Sequence, residues 1–216
     1  MNRKQKISIM QTALTVLYVI SLVISNIVVA KQFVMFGGIT MTCAMIVFPI
    51  TYILSDVFSE VYGYKWSRFS CYLAFGANIL MVLTFELSIA LPAPDFWNNQ
   101  EAFETVLGNS PRILIASVLA FVCGDFVNDK IFAEMKKKHK GELKGFKARA
   151  MLSSVCGQLA DSAIFMPIAF IGVLPAKELV LMGITEILLK SAYELIILPL
   201  THQIAKALQK YEASTI

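Results

Sequence analysis

Ionisable and amide side chains interrupt stretches that are otherwise apolar. Asp125, Asp129 and Lys130 lie in one run, Gln158 and Asp161 in the next, and Glu186, Lys190 and Glu194 in the last. A charge in hydrocarbon is expensive, so such residues face a cavity or one another and mark a transport or proton path. On a helix, positions i, i+3 and i+4 share a face. Asp125, Asn128 and Asp129 then point one way on their helix, Gln158 and Asp161 share a face on theirs, and Glu186, Lys190 and Glu194 form a single stripe. The preceding run adds Asn78 near its middle and Glu86 toward its outer end. At ~1.5 Å per residue, Asp125, Gln158, Asp161 and Lys190 fall at similar depth, as in a bundle enclosing a polar site.

Ion pairing alone does not account for this set. Glu86, Asp125, Asp129, Asp161, Glu186 and Glu194 face only Lys130 and Lys190. The surplus acids must be protonated, meet water, or bind something that brings donors or positive charge. A carboxylate beside an amide suits a flat, donor-rich heterocycle. The carboxylate accepts two parallel N–H bonds, and the amide matches a carbonyl and a ring nitrogen. Phe121, Phe126, Phe165 and Tyr193 are available to stack on such a ring, with core packing the alternative for each. A second polar group, Tyr52, Asp56, Glu60, Tyr62 and Gly63, can gate the inner side by pairing with Lys65, Arg68 or Arg149, or can be solvated helix-end charges. Ser25 and Asn26 near the outer end of the first run can line an entry or cap a helix break.

The elements that must position these groups are membrane helices. The chain has 216 residues, is 57% hydrophobic and 16% charged, and has a mean hydropathy of +0.67, which belongs to the integral membrane class. The expected fold is all-α, a single transmembrane domain over 1–216 with six spans at about 8–30, 39–57, 67–91, 111–134, 150–171 and 178–202. The first run follows Arg3, Lys4 and Lys6 like a signal peptide, but its apolar stretch is too long for one. Lys and Arg crowd the inner segments, above all 136–149, and the outer segments hold only Lys31, Arg112 and Lys177. The topology is therefore N-in and C-in.

The basic loop 136–149 reads as an anchor on anionic headgroups, with no nucleic-acid partner expected. The outer segment 92–110, with Phe96, Trp97, Phe103 and Val106, reads as a short interfacial helix, a lid or an aromatic belt. Ser21 and Ser25 have small-xxx-small spacing, and no long repeat stands out. Cys43, Cys71, Cys123 and Cys156 sit singly in four apolar runs, so neither a metal site nor a cofactor is expected. Hydrolase signatures are absent, and His139 and His202 lie outside or at the edge of the spans, so an enzyme is not expected.

Several motifs together resemble the queuosine precursor transporter family, also called the vitamin uptake transporters. They are Ser25-Asn26 with Lys31, Pro49-Ile50-Thr51-Tyr52 with Asp56, and Glu60-Val61-Tyr62-Gly63-Tyr64. They continue through Ala102-Phe103, Val106-Leu107-Gly108, Pro111-Arg112-Ile113, Ala116-Ser117, and Gly124, Phe126 and Asn128. The series ends with Arg149, Ser153-Ser154, Gly157-Gln158, Asp161, Phe165, Lys190, Tyr193, Glu194 and Pro199. Asp129-Lys130 is not part of that pattern.

The resemblance implies a six-helix bundle like the substrate-binding components of energy-coupling-factor vitamin transporters. It implies import of 7-cyano- or 7-aminomethyl-7-deazaguanine into the cytoplasm, for tRNA queuosine modification, by a multi-pass protein of the bacterial inner membrane. It also implies work without a dedicated ATPase. The alternative is a capture subunit needing a separate ATPase module, although the first span lacks that class's Ala-x-x-x-Ala dock. Gln158, Asp161, Asp125, Asn128, Asn78, Lys190, Tyr193 and Glu194 are the expected substrate-binding residues. Asn26, Tyr52, Asp56, Glu60, Arg149 and Glu186 are expected to gate or couple. Asp125, Asp161 and Glu194 are the candidates if protons drive transport, and a homo-oligomer is left open.

Overall fold

A computed structural model describes residues 7–35, 38–138 and 146–215. The helices are α1 (Ile9–Val28), α2 (Phe48–Val57), α3 (Tyr64–Ala90), α4 (Gln100–Leu107), α5 (Ser110–Lys138), α6 (Phe146–Phe170) and α7 (Ala176–Thr215). Strands β1 (Gln32–Val34) and β2 (Thr40–Thr42) pair in a small two-stranded sheet. The stretches Ile9–Val28, Tyr64–Ala90, Gln100–Asn128 and Leu152–Phe170 are long and apolar enough to cross a membrane.

Two of the expected spans differ from that pattern. The run 39–57 is not one helix: β-branched Thr40 and Thr42 extend into β2, and a 3-10 turn covers Cys43–Ile46. Pro49 has no N–H to donate and so sits in the first turn of α2. Helix then runs from Phe48 through a π turn at Phe58–Tyr62, about 22 Å at 1.5 Å per residue, short of the ~30 Å hydrocarbon core. The last run is longer than expected, since α7 spans 40 residues. Its stripe of Glu186, Lys190 and Glu194 makes it less apolar than the four crossing stretches.

The chain divides into two compact units. One contains α1, α2, α3, α4 and α7 from Glu194 onward. Ser8 caps α1, its Oγ accepting from the Gln11 N–H at 2.9 Å. Helices α1 and α3 run parallel and in register: Trp66 Nε1 donates to Thr15 Oγ1 at 3.1 Å, and Asn26 Nδ2 donates to Asn78 Oδ1 at 2.7 Å. Tyr18, Leu54, Phe58 and Ala74 form the buried core, with the Tyr18 and Phe58 rings edge-on at 5.6 Å. Gly63, at φ 84°, turns the chain from the π turn into α3 in a conformation that L side chains avoid.

Burial in this unit is inverted relative to a protein in water. Ser21, Ser25, Asn26, Ser70 and Asn78 are buried, whereas Ile79, Leu80, Leu83 and Leu87 on α3 are exposed. Aqueous solvent penalises that arrangement and lipid rewards it.

The far end of α7 ties this unit together. Ser8 Oγ and the Tyr62 hydroxyl both donate to Glu212 Oε1, at 2.5 and 2.8 Å. Burial and the Glu212 carboxylate together push the Tyr62 phenol above its usual range. Glu212→Ala leaves both hydroxyls without this acceptor and is expected to cost about 1–3 kcal/mol. Thermal unfolding in detergent should show a lower midpoint for Glu212→Ala than for Glu212→Gln, which keeps an acceptor; equal midpoints would remove the tie from the stability account.

Candidate functional site

The second unit contains α5, α6 and α7 up to Tyr193. Pro111 lies in the first turn of α5, where its missing N–H costs nothing. Next to it, Arg112 Nε donates to the Ile168 carbonyl and Arg112 Nη2 to the Ile171 carbonyl at 2.6 Å. A guanidinium there satisfies carbonyls at the C-terminal end of α6 and opposes the negative end of its dipole. Gly172, at φ 81°, then turns the chain out of the helix.

Midway along, α5 and α6 touch backbone to backbone. A Cβ on Gly124 would lie 2.9 Å from the Gly157 carbonyl oxygen and 3.1 Å from Asp161 Cβ. A Cβ on Gly157 would lie 2.9 Å from the Gly124 carbonyl oxygen and 3.0 Å from Asn128 Cβ. Only glycine fits at both positions, and small residues are how helices approach closely in lipid, where the hydrophobic effect does not press them together. The contact seats Asn128 beside α6 and Asp161 beside α5.

Helix α7 completes the site. Lys190 Nζ lies 2.7 Å from Glu186 Oε1, one turn earlier, and 3.5 Å from Asp161 Oδ2 across the helix pair. Lys190 is 5% and Glu186 7% exposed, so the ammonium and one of its carboxylates are buried, while the Asp161 side chain is half-buried. Ser191 Oγ donates to Gln158 Oε1 at 3.0 Å, and Met166 packs on Gly183. The pairs 158 with 191, 161 with 190 and 166 with 183 show α6 and α7 antiparallel in constant register.

Of the expected site residues, this unit joins Asp161, Glu186 and Lys190 in one ion-paired cluster, bonds Gln158 to Ser191 next to Lys190, and places Asn128 at the glycine crossing. Asn128 Oδ1 is buried with no hydrogen-bond partner among the described residues, as is Ser162 Oγ. Asp125 and Tyr193 are half-buried on α5 and α7 of the same unit. Lys190 pairs with Asp161, whereas spacing alone allows it to sit between Glu186 and Glu194. Phe126 is 65% exposed with the Lys130 ammonium 5.8 Å from its ring centroid, so it faces outward and is not a stacking platform for this site. The ring of Phe165 packs edge-on against Phe170 at 6.0 Å.

The other expected residues belong to the first unit. Asn26 and Asn78 bond each other, and the Asn78 amide also donates to the Ala74 carbonyl at 2.8 Å. Asp56 lies where the Glu194 charge is felt, and Glu60 is exposed. The side chains of Tyr52, Asp129 and Arg149 lie outside the described residues. Sequence spacing missed Ser191, whose signal was its place between Lys190 and Tyr193, and missed what Gly124 and Gly157 do. No group of His, Cys, Asp and Glu able to hold a metal occurs among the described residues.

Long apolar helices with exposed apolar sides and buried polar groups define a multi-pass membrane protein. Residues 42–204 match the family described as "putative vitamin uptake transporter", and the chain belongs to that family, which gives it a transporter role. A relative from Bacillus subtilis (strain 168), a "probable queuosine precursor transporter", is 29% identical over 196 residues, covering 89% of this chain and 83% of its own length. No solved structure matches the chain.

Gly157→Ala must push Asn128 and the Gly124 backbone away and is expected to cost about 1–3 kcal/mol by overpacking. Gly76→Ala, where nothing lies within 4 Å of the new Cβ, is expected to gain up to about 1 kcal/mol in helix propensity. Thermal midpoints of the two variants should move in opposite directions, and a neutral Gly157→Ala would show that the crossing has room to spare.

Proposed function

We propose that this chain imports a 7-deazaguanine precursor of queuosine, 7-cyano- or 7-aminomethyl-7-deazaguanine, across a bacterial inner membrane. The observation that carries the reading is the Asp161–Lys190–Glu186 cluster beside Gln158, held in otherwise apolar helices. Two carboxylates around one ammonium leave acceptor capacity, and the carboxamide next to them both donates and accepts. That combination matches a lactam ring carrying an amino group. The name of the Bacillus subtilis relative points to the same cargo. Import then proceeds by alternating access around a midplane site, through six spans with both termini in the cytoplasm.

Uptake of radiolabelled 7-cyano-7-deazaguanine into cells unable to synthesise it is the direct test. Asp161→Ala strips Lys190 of one partner, and breaking such a buried pair costs about 3–5 kcal/mol, so uptake should fall at least a hundredfold. Wild-type uptake by Asp161→Ala would remove Asp161 from the site. Uptake by the purified protein alone in liposomes is expected; dependence on an added ATPase module would favour the capture-subunit reading. Cytoplasmic reporters fused at either end should be active, and an active periplasmic reporter there would overturn the orientation.

A further inference from the structure

The eight residues Val122-Cys123-Gly124-Asp125-Phe126-Val127-Asn128-Asp129 and Val155-Cys156-Gly157-Gln158-Leu159-Ala160-Asp161-Ser162 are two copies of one pattern. Both begin Val-Cys-Gly, continue with an acid or amide, then two apolar residues, then an amide or acid. The copies meet each other in space, and they do so reciprocally. A Cβ added to either glycine would lie 2.9 Å from the other's carbonyl oxygen, and about as close to the Cβ of the polar residue one turn beyond the other glycine, 3.1 Å for Asp161 and 3.0 Å for Asn128. Antiparallel helices with matched contacts of this kind are related by a local two-fold axis lying across the helices, the arrangement of an inverted repeat.

We propose that this repeat builds one ligand site from two equivalent halves, with carboxylates at one level and carboxamides at the next. The proposal rests on the transport reading above and specifies how its site is divided. Since Gly124 is level with Asp161 and Gly157 with Asn128, Asp125 lies about 1.5 Å in depth from Asp161, and Gln158 about 1.5 Å from Asn128. The two levels are three residues, about 4.5 Å, apart. A helix turns about 100° per residue, so the first and fourth positions after each glycine lean to the same side, and the two-fold axis puts all four groups on one face of the α5–α6 pair. Cys123 and Cys156 lean to the opposite face.

The halves are chemically complementary to a single planar ring. Carboxylates accept from a ring N–H and an exocyclic amino group, and carboxamides donate to a ring carbonyl. The ligand class is therefore a six-membered lactam ring whose carbonyl and amino substituent flank a ring N–H, lying along the helices with its amino end at Asp125 and Asp161. Helix α7 engages the α6 half through Lys190 on Asp161 and Ser191 on Gln158. In the other half, the buried Asn128 Oδ1 has no hydrogen-bond partner among the described residues, an independent sign that this carboxamide is set to meet a ligand.

Calorimetric titration of the detergent-purified chain with 7-cyano-7-deazaguanine, 7-deazaguanine and 7-deazahypoxanthine, which lacks the amino group, tests this. Asn128→Ala and Gln158→Ala should each weaken binding of the cyano compound about tenfold, one hydrogen bond's worth. Asp125→Asn and Asp161→Asn should also shrink the preference for 7-deazaguanine over 7-deazahypoxanthine, which the amide variants leave unchanged. If Asn128→Ala does not fold, the equal-sized Asn128→Asp should weaken binding comparably, because an ionised carboxylate cannot donate to the carbonyl. Wild-type binding by the α5 variants, with losses only in Gln158→Ala and Asp161→Asn, would overturn the two-half site while leaving the cargo standing. Failure of the wild-type chain to bind any deazaguanine would remove the transport reading, and this proposal with it.

Discussion

A lysine ammonium held between two carboxylates away from solvent is the constraint around which the polar unit is organised. Lys190 sits between Glu186 and Asp161, and stranding any one of these charges in a low-dielectric surrounding would be costly. The cluster therefore keeps the register of α6 against α7, with Ser191 on Gln158 and Met166 on Gly183 completing the same alignment. It also keeps charge inside an apolar bundle, a poor route to stability.

The glycine crossing and the charge cluster depend on one another. Gly124 and Gly157 let the α5 and α6 backbones touch, which brings Asp161 and Asn128 to the seam between the helices. A side chain at either glycine would move Asp161 or Asn128 away and loosen the pairing with Lys190. Arg112 holds one end of the same helix pair by satisfying carbonyls in and just past the last turn of α6, which have no helical donor of their own. The first unit uses neutral groups for the same purpose: Asn26 with Asn78 and Thr15 with Trp66 align α1 with α3 at little electrostatic cost.

Much of this was legible from residue types. Alternation of apolar runs with basic loops marks membrane helices without reference to any fold, because lipid demands satisfied backbones and few charges. The surplus of embedded acids over Lys130 and Lys190 pointed to a polar site. The 39–57 run carries less helix than its hydropathy suggests, for a local reason: β-branched Thr40 and Thr42 and the placement of Pro49 delay the helix to Phe48. Phe126 was misplaced because one residue's rotation about a helix decides between seam and lipid, and α5 is apolar on too many sides for periodicity to resolve it.

Composition and spacing by themselves determined that this chain is a membrane protein with Asp125, Asn128, Gln158, Asp161 and the Glu186–Lys190–Glu194 stripe set in its apolar runs, chemistry suited to a heterocycle. These follow from the sequence because hydrophobicity and helical periodicity are properties of single segments. Which acid Lys190 takes, Asp161 in addition to Glu186, was decided only by the fold, as were the partnership of Asn26 with Asn78 and the meeting of the two Val-Cys-Gly copies. Helical periodicity says which residues share a face, but not which helix lies opposite or at what depth. Those are set by how closely two backbones can approach, and here two glycines set that distance.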